Sequence, residues 1–376
     1  MDLRRNGPMT DNPLKPDIKE MSREALTAWL KDHGIAPYRA GQIGRWIYQR
    51  NADGFSEMTD LGKPLREQLS ANFSLGRLER IETRTAEDGA RKYLFGLADA
   101  ARIETVRIPE KDHYTLCISS QVGCAQGCRF CRTAAGGFWR NLTAGEIIAQ
   151  IRDAMADAPA DDPRPVSNLV FMGMGEPLAN FGPVIQALKV ITDAEWGLAF
   201  SRRRVTVSTA GFAPEIEALG REASVNLAIS LNAADDETRS RLMPINRRYP
   251  IAELLEACRR FPLPRRGRIT AEYILIRGIN DSPDDALRLA KLLRPLRAKV
   301  NLIPFNAHDR SEFQAPDDRT VNQFRDILIQ KQYTTIIRHS KGRDIGAACG
   351  QLAGESRAGG NCSRPLAETG ADPCSP

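Results

Sequence analysis

From about residue 113 onward, short apolar runs alternate with amphipathic segments. Strands are predicted for the runs YTLCISS, SNLVFMG, RVTVSTA, VNLAISL, ITAEYILI, KVNLIPFN and YTTIIRHS. Between them, a helical period is present in segments such as TAGEIIAQIRDAM, GPVIQALKVITDA, IAELLEACRRF, DDALRLAKLLRPL and VNQFRDILIQKQ. Apolar strands that alternate with helices are typical of a parallel sheet, and six or so repeats predict a partial (β/α)6-type barrel over residues 111–354.

The rest of the chain divides into segments that differ in the period of their apolar residues and in composition. Residues 19–75 carry apolar side chains at helical spacing, which predicts a small N-terminal helical domain. Residues 76–110 alternate around the turn sequences EDGA and ADAA, which indicates a short β-meander. Residues 1–18 are polar and proline-bearing, and residues 355–376 are rich in Gly, Pro, Ser and Ala. We therefore expect a flexible leader and a disordered tail.

The composition argues against secreted and membrane classes of protein. The N-terminal sequence has no apolar signal segment, and no stretch approaches the roughly 20 apolar residues of a membrane span. We therefore expect a cytoplasmic protein with no membrane partner. The net charge of +6 is concentrated in the segments SRRRV, NRRYP and CRRFPLPRRGR. Such segments bind phosphates in some proteins and are solvated helix ends in others, so both interpretations stay open.

Three of the eight cysteines lie within the sequence SSQVGCAQGCRFCRTAAGGF, as Cys124, Cys128 and Cys131. This C-x3-C-x2-C segment follows the first predicted barrel strand, at the end of the barrel where active sites are built. A structural zinc site usually has four ligands, and the nearest fourth candidate, Cys117, lies back in the strand. Three thiolates on a four-iron cluster leave one iron open to a substrate. The spacing favours an iron–sulfur cluster, with a zinc-stapled RNA-binding module as the non-enzyme alternative.

Further segments, in order along the chain, resemble one family. They are YRAGQIGRWIYQRNADGFSEMTDLGKPLRE, CISSQVGCAQGCRFCRTAAGGFWRNLTAGEI, FMGMGEPLAN, VTVSTAG, LAISLNAADDETRSRLMPINRRYP, LIPFN and GRDIGAACGQLAG. With the three cysteines, they resemble the RlmN/Cfr family of radical S-adenosylmethionine (SAM) RNA methyltransferases. The resemblance runs to about residue 354. It implies one [4Fe-4S] cluster per chain, bound by Cys124, Cys128 and Cys131, and two SAM molecules per turnover.

The resemblance also implies a set of SAM contacts. These are Gly175, Glu176, Ser208, Ser230, Leu231, Asn232 and Asn306. Each lies at or just beyond the carboxyl end of a predicted strand, so we expect all of them to face one mouth of the barrel. Glu176 suits the ammonium group of SAM. The family usually has His where Asn232 stands, which is harmless if the backbone makes the contact.

Three catalytic residues are implied by the same resemblance. The carbons C2 and C8 of adenine are too electron-poor to attack a sulfonium methyl group, so Cys349 first accepts a methyl group from one SAM. A radical derived from the second SAM takes hydrogen from this S-methyl group, and the resulting methylene radical adds to the base. Cys117 then releases the RNA by forming a disulfide with Cys349. Glu104 is the acid/base residue, although by sequence alone it is an exposed strand residue.

The implied partners are RNA and an electron donor. Members of the family methylate C2 of adenosine 2503 in 23S rRNA and of adenosine 37 in the anticodon loop of tRNAs, whereas Cfr methylates C8 of the same rRNA adenosine; the motifs do not separate the two. Flavodoxin or ferredoxin is the expected donor, and a monomer is expected. RNA contacts are predicted in the segment PYRAGQIGRWIYQR, at Arg39, Arg45, Trp46, Tyr48 and Arg50.

Overall fold

The computed structural model describes residues 15–157, 162 and 164–354. Its N-terminal part is helical and contains α1 (Arg23–Asp32), α2 (Arg39–Gly44), a π-helical turn (Arg45–Gln49) and α3 (Lys63–Asn72). Most of the predicted leader and the whole predicted tail lie outside the described residues. Within the leader, Ile18 is buried and its N–H donates to the carbonyl of Ser74 at 3.0 Å.

Three antiparallel strands follow the helices. They are β1 (Glu79–Thr85), β2 (Arg91–Gly96) and β3 (Arg102–Pro109). Strand β3 also pairs, antiparallel, with β4 (Tyr114–Cys117), the first strand of the barrel. The β-meander is therefore an extension of the barrel sheet, and side chains on β3 lie next to the site at the end of β4.

The cysteine segment follows β4 as a separate small unit. It contains β5 (Gln121–Gly123), α4 (Arg132–Ala135) and β6 (Phe138–Asn141), and β5 pairs with β6 in an antiparallel hairpin. The three clustered cysteines lie between the two strands. The sequence analysis does not predict this hairpin, because its strands are only three and four residues long.

Helices and strands then alternate to the end of the barrel. Their bounds are α5 (Ala144–Ala156), β7 (Val166–Phe171), α6 (Phe181–Thr192), β8 (Val205–Thr209), α7 (Ala213–Glu222), β9 (Asn226–Ser230), α8 (Asp236–Leu242), α9 (Ile251–Arg260), β10 (Ile269–Leu275), α10 (Pro283–Leu292), β11 (Ala298–Pro304), α11 (Asp318–Gln330) and β12 (Thr335–Ile337).

The large sheet has the strand order β1-β2-β3-β4-β7-β8-β9-β10-β11-β12, and β4 with β7 to β12 forms a parallel set of seven strands. Each parallel strand pairs with the parallel strand that follows it in the chain, so all six crossover connections run in the same direction across the sheet. Among the described residues β12 pairs with β11 and not with β4, so the barrel is open. The predicted α/β fold with a partial barrel is confirmed, and the carboxyl ends of all seven parallel strands meet at one edge.

Local sequence explains where the barrel helices begin. Helix α5 begins with a capping box in which Thr143 and Glu146 satisfy each other's backbone N–H groups, and Ser282 with Asp285 does the same for α10. Helix α8 is capped by Asp235, whose side chain accepts a 2.7 Å hydrogen bond from the N–H of Thr238. Its sequence, DETRSRL, is too polar and too short for a periodic pattern to predict it.

The N-terminal helices pack against the outer layer of the barrel. Trp196 donates from Nε1 to the carbonyl of Ala40 at 3.0 Å, and a Cβ on Gly44 would lie 2.2 Å from the Trp196 ring. Arg152 on α5 donates to the carbonyl of Ala52 at 2.6 Å. Across the described residues, every helix is too short or too polar to span a bilayer.

Candidate active site

The carboxyl ends of the parallel strands surround one cavity, which we name the active-site cavity. Its lining includes Cys124, Cys128, Cys131, Met172, Gly175, Glu176, Ser208, Ser230, Asn232, Glu272, Ile274, Ile303, Arg338, Cys349 and Leu352. All three clustered cysteines and Cys349 therefore face the same space, as the sequence predicts.

The cysteine segment is held in a tight loop over this cavity. Gly123 and Gly127 adopt φ angles of +76° and +66°, which suit glycine, and a Cβ on Gly123 would lie 2.0 Å from the carbonyl oxygen of Gly137. The N–H of Cys124 donates to that carbonyl at 2.8 Å. Burial raises the pKa of the Cys124 thiol to about 12, so a bound cation is needed to hold the sulfur as a thiolate at neutral pH.

The donor set fits a cluster better than a single ion. Among the described residues, no group of three or more His, Cys, Asp or Glu side chains is arranged to hold one metal ion. In a four-iron cluster each thiolate binds a different iron, so the sulfurs stand farther apart than the ligands of a zinc ion. Three free thiols that face one cavity are consistent with the cluster.

Glu176 joins the ends of two strands beneath the cavity. Its Oε1 accepts from the N–H of Leu178 at 3.0 Å and its Oε2 from the N–H of Ala210 at 2.6 Å, while its own N–H donates to Gln121 Oε1 at 2.8 Å. Gly175 precedes it with a φ of +98°, and a Cβ there would lie 2.5 Å from the side chain of Gln121. Burial raises the pKa of Glu176 to about 7. A cationic ligand group beside it would favour the carboxylate form.

Asn232 uses its side chain to connect two strands. It adopts a left-handed φ of +56°, which asparagine tolerates better than most residues. Its Oδ1 accepts a hydrogen bond from the N–H of Ile274 on β10 at 2.9 Å, and its backbone carbonyl accepts one from Asn280 at 2.8 Å.

The predicted SAM contacts divide into two groups in the structure. Five of them line the active-site cavity, namely Gly175, Glu176, Ser208, Ser230 and Asn232. The two others do not line it. Leu231 is fully buried, and its carbonyl accepts from Nε of Arg239 at 3.1 Å. Asn306 donates to the backbone carbonyl of Cys349 at 3.0 Å, so it positions the segment that carries Cys349.

Cys349 also lines a second cavity, which we name the Cys117 cavity. Its lining includes Cys117, Met172, Arg338, Cys349, Leu352, Glu110 and Lys341. Cys117 lies at the end of β4 and does not line the active-site cavity. Burial raises the pKa of Cys117 to about 12. Burial also raises the pKa of the Cys349 thiol, while the Arg338 guanidinium acts in the opposite direction.

Glu104 is buried, whereas the sequence alone indicates an exposed position. Its carboxylate is paired with Lys92 Nζ at 3.1 Å and accepts a 2.8 Å hydrogen bond from the N–H of Ala353. It lines neither cavity. Strand β3 places it beside the segment that carries Cys349, but residues 352–354 separate it from the active-site cavity.

The sequence does not single out Glu272 or Arg338 as residues of the cavity, or Phe138 and Trp139 as exposed aromatic residues near the clustered cysteines. Glu272 and Arg338 line the cavity, and the only sequence signal for Glu272 is a carboxylate within the apolar run ITAEYILI. Phe138 and Trp139 on β6 are 47% and 53% exposed beside the cysteine segment. The predicted contact Tyr48 is instead buried against Trp196 and cannot stack on a base.

Comparisons with known proteins agree with this geometry. Residues 16–75 match the model of the ribosomal RNA large subunit methyltransferase N-terminal domain, and residues 118–290 match the radical SAM superfamily. A dual-specificity RNA methyltransferase RlmN from Desulfosudis oleivorans is 52% identical over 349 residues, which cover 93% of this chain and 94% of the relative. Another from Geobacter sulfurreducens is 52% identical over 339 residues, which cover 90% of this chain and 92% of the relative.

A solved structure has the same fold. The crystal structure of a radical SAM methyltransferase from Sphaerobacter thermophilus superimposes with a TM-score of 0.85 at 42% sequence identity, covering 90% of this chain and all of that one. Fold, cysteine segment and sequence thus agree along nearly the whole described chain. The chain belongs to the RlmN family of dual-specificity RNA methyltransferases, within the radical SAM superfamily.

Proposed function

We propose that this protein methylates C2 of adenosine 2503 in 23S rRNA and C2 of adenosine 37 in tRNAs, through an S-methylcysteine at Cys349. The observation that carries the proposal is the position of Cys349, which faces the three clustered cysteines across one cavity. The RlmN relatives favour C2 over the C8 chemistry of Cfr.

The family's cofactors are a [4Fe-4S] cluster and SAM. When bound, they supply the methyl group and the one-electron chemistry that an electron-poor adenine carbon requires. Cys124, Cys128 and Cys131 hold the cluster, and Glu176 binds the ammonium group of SAM. Gly175, Ser208, Ser230, Leu231, Asn232 and Asn306 complete the SAM site, with Leu231 and Asn306 acting through the elements they position.

Cys349 accepts the methyl group and later becomes covalently bound to the RNA. Cys117 then releases the RNA from Cys349. Arg338 favours the thiolate of Cys349, which is the nucleophilic form. Attack by the Cys117 thiolate on the sulfur of Cys349 forms an S–S bond while the bond between that sulfur and the base-linked carbon breaks. The carbon leaves with the electron pair and takes up a proton to become the methyl group, and cellular thiols reduce the disulfide. The shared cavity supports this pairing. Glu104 serves as the acid/base residue once the N–H of Ala353 releases its carboxylate.

RNA enters from the carboxyl edge of the barrel. The exposed rings of Phe138 and Trp139 offer stacking surfaces for bases that flank a splayed-out target. In the N-terminal helical domain, residues 19–75, Arg50 lies over the ring of Trp46 at 4.2 Å and is exposed. The meander of residues 76–110 joins this domain to the barrel of residues 111–354.

We also propose that the protein is a cytoplasmic monomer and that flavodoxin or ferredoxin reduces its cluster.

Nucleoside mass spectrometry tests the proposed function. Ribosomal and transfer RNA would be isolated from cells with and without the gene. We expect 2-methyladenosine in both RNA classes and its loss when the gene is deleted. Detection of 8-methyladenosine instead would support the Cfr chemistry, and no gene-dependent methyladenosine would refute the proposal.

A further inference from the structure

Glu272 is a buried carboxylate with one oxygen that no described residue satisfies. The residue is 6% exposed and lies in the middle of β10. Its Oε1 accepts a 3.0 Å hydrogen bond from Asn301 Nδ2, whereas its Oε2 receives no donor from any described residue. Leaving such an atom unpaired costs free energy of folding, so a buried polar group of this kind is typical of a site that a ligand completes.

The sheet register places Glu272 in a polar row inside the barrel. Glu272 pairs with Ser230 on β9 and with Asn301 on β11. Paired residues of neighbouring parallel strands point to the same face, and Ser230 and Glu272 both line the active-site cavity. Burial raises the pKa of Glu272, and the Arg338 guanidinium, which lines the same cavity, acts in the opposite direction.

An apolar row lies immediately above the polar one. Ile274 and Ile303 are two residues further along β10 and β11, they are paired in register, and both line the cavity. A nucleoside has the same division, with a flat apolar base face and a ribose whose hydroxyl groups are hydrogen-bond donors. Carboxylates bind ribose hydroxyls in other nucleotide sites.

We propose that Glu272 is a binding residue whose Oε2 accepts a hydrogen bond from a ribose hydroxyl of a nucleoside in the active-site cavity. The inference rests on the proposed function, which gives the cavity two nucleosides: SAM and the target adenosine. Both carry the required hydroxyl group. Asn301 orients the carboxylate by occupying its other oxygen.

Binding to the cluster-loaded protein separates the two sources. S-Adenosylhomocysteine and an anticodon stem-loop RNA would be titrated anaerobically against the wild type and Glu272→Gln, which keeps an acceptor for Asn301. We expect Glu272→Gln to weaken one of the two ligands by about ten- to a hundredfold, the loss typical of a hydrogen bond to a charged group. Glu253→Gln, at an exposed position on α9 outside both cavities, is the matched control and should bind both ligands as the wild type does.

Hydroxyl-deleted ligands show whether the contact is direct. The ligands are the 2'-deoxy and 3'-deoxy forms of S-adenosylhomocysteine and an RNA with 2'-deoxyadenosine at the target. The one that lacks the contacted hydroxyl group should bind the wild type more weakly than its parent does, yet bind Glu272→Gln no more weakly than the parent ligand does. The affected ligand identifies the source. If the wild type binds every deoxy ligand as tightly as its parent, the proposal is wrong, even where Glu272→Gln does not fold. These readouts need no methylated product, so they are independent of a failure of the proposed function.

Discussion

The two cavities that meet at Cys349 differ in what they contain. The active-site cavity has three thiols, Glu176 and the strand-end residues Ser208 and Ser230, so it suits a cluster and a polar ligand. The Cys117 cavity has a single further thiol and no part of the cysteine segment. Among the described residues, only Met172, Arg338, Cys349 and Leu352 line both. This difference is the basis for our proposal that methyl loading and product release depend on different neighbours of Cys349.

The largest expected effect comes from removing one of the three clustered thiols that line the active-site cavity. Replacing any one of Cys124, Cys128 or Cys131 by Ala should abolish SAM cleavage, because a cluster held at two points is lost or destabilised. Iron content and 5'-deoxyadenosine formation measure this. Cys258→Ala, in helix α9, is the matched control and should keep both. Full iron content and turnover in one of these variants would show that the cysteines do not hold the cluster.

A smaller effect is expected at Glu176, within the same cavity. Because the folded pKa of this carboxyl is about 7, the group is protonated below that pH and ionised above it. Affinity for SAM should therefore rise as the pH is raised through about 7, since only the carboxylate attracts the ligand's ammonium group. Isothermal titration of the cluster-loaded protein measures this.

Glu176→Gln should bind SAM more weakly and lose that rise with pH. Glu253→Gln, at an exposed position on α9 outside both cavities, should keep the wild-type profile. A wild-type affinity that is independent of pH, or a Glu176→Gln profile that still rises, would contradict the assignment of the ammonium group to Glu176.

Arg338 lines both cavities, so its replacement tests a side chain that the two cavities share. Replacing it by Gln removes the cation that lowers the pKa of Cys349, so the thiolate fraction at a given pH should fall. Alkylation of Cys349 by iodoacetamide should slow by up to about tenfold for each unit of pKa increase. Peptide mass spectrometry over a pH series measures the rate. Arg325→Gln on α11 should leave it unchanged, and an unaltered profile for Arg338→Gln would show that the guanidinium does not act on the thiol.

Much of the fold follows from local sequence, because each barrel strand is a short apolar run and each flanking helix has its own period. The cysteine segment could be placed as well, since it follows the first such run directly. Glu272 could not, because only the pairing of β9, β10 and β11 shows that it shares a face with Ser230. The burial of Glu104 depends on β3 pairing with β4, a contact that alternation within the meander does not predict. Likewise, Tyr48 is buried by Trp196, which lies far away in sequence.

The most direct test of the two-cavity account is the fate of RNA on Cys117→Ala. This variant keeps Cys349 and the active-site cavity, so it should load the methyl group, add it to adenine and then stall with RNA bound covalently through Cys349. Denaturing electrophoresis of protein from cells should show a slower, ribonuclease-sensitive species that is absent from Cys349→Ala and from the double variant. Normal turnover by Cys117→Ala, or an adduct that persists in the double variant, would contradict the division of labour between the two cavities.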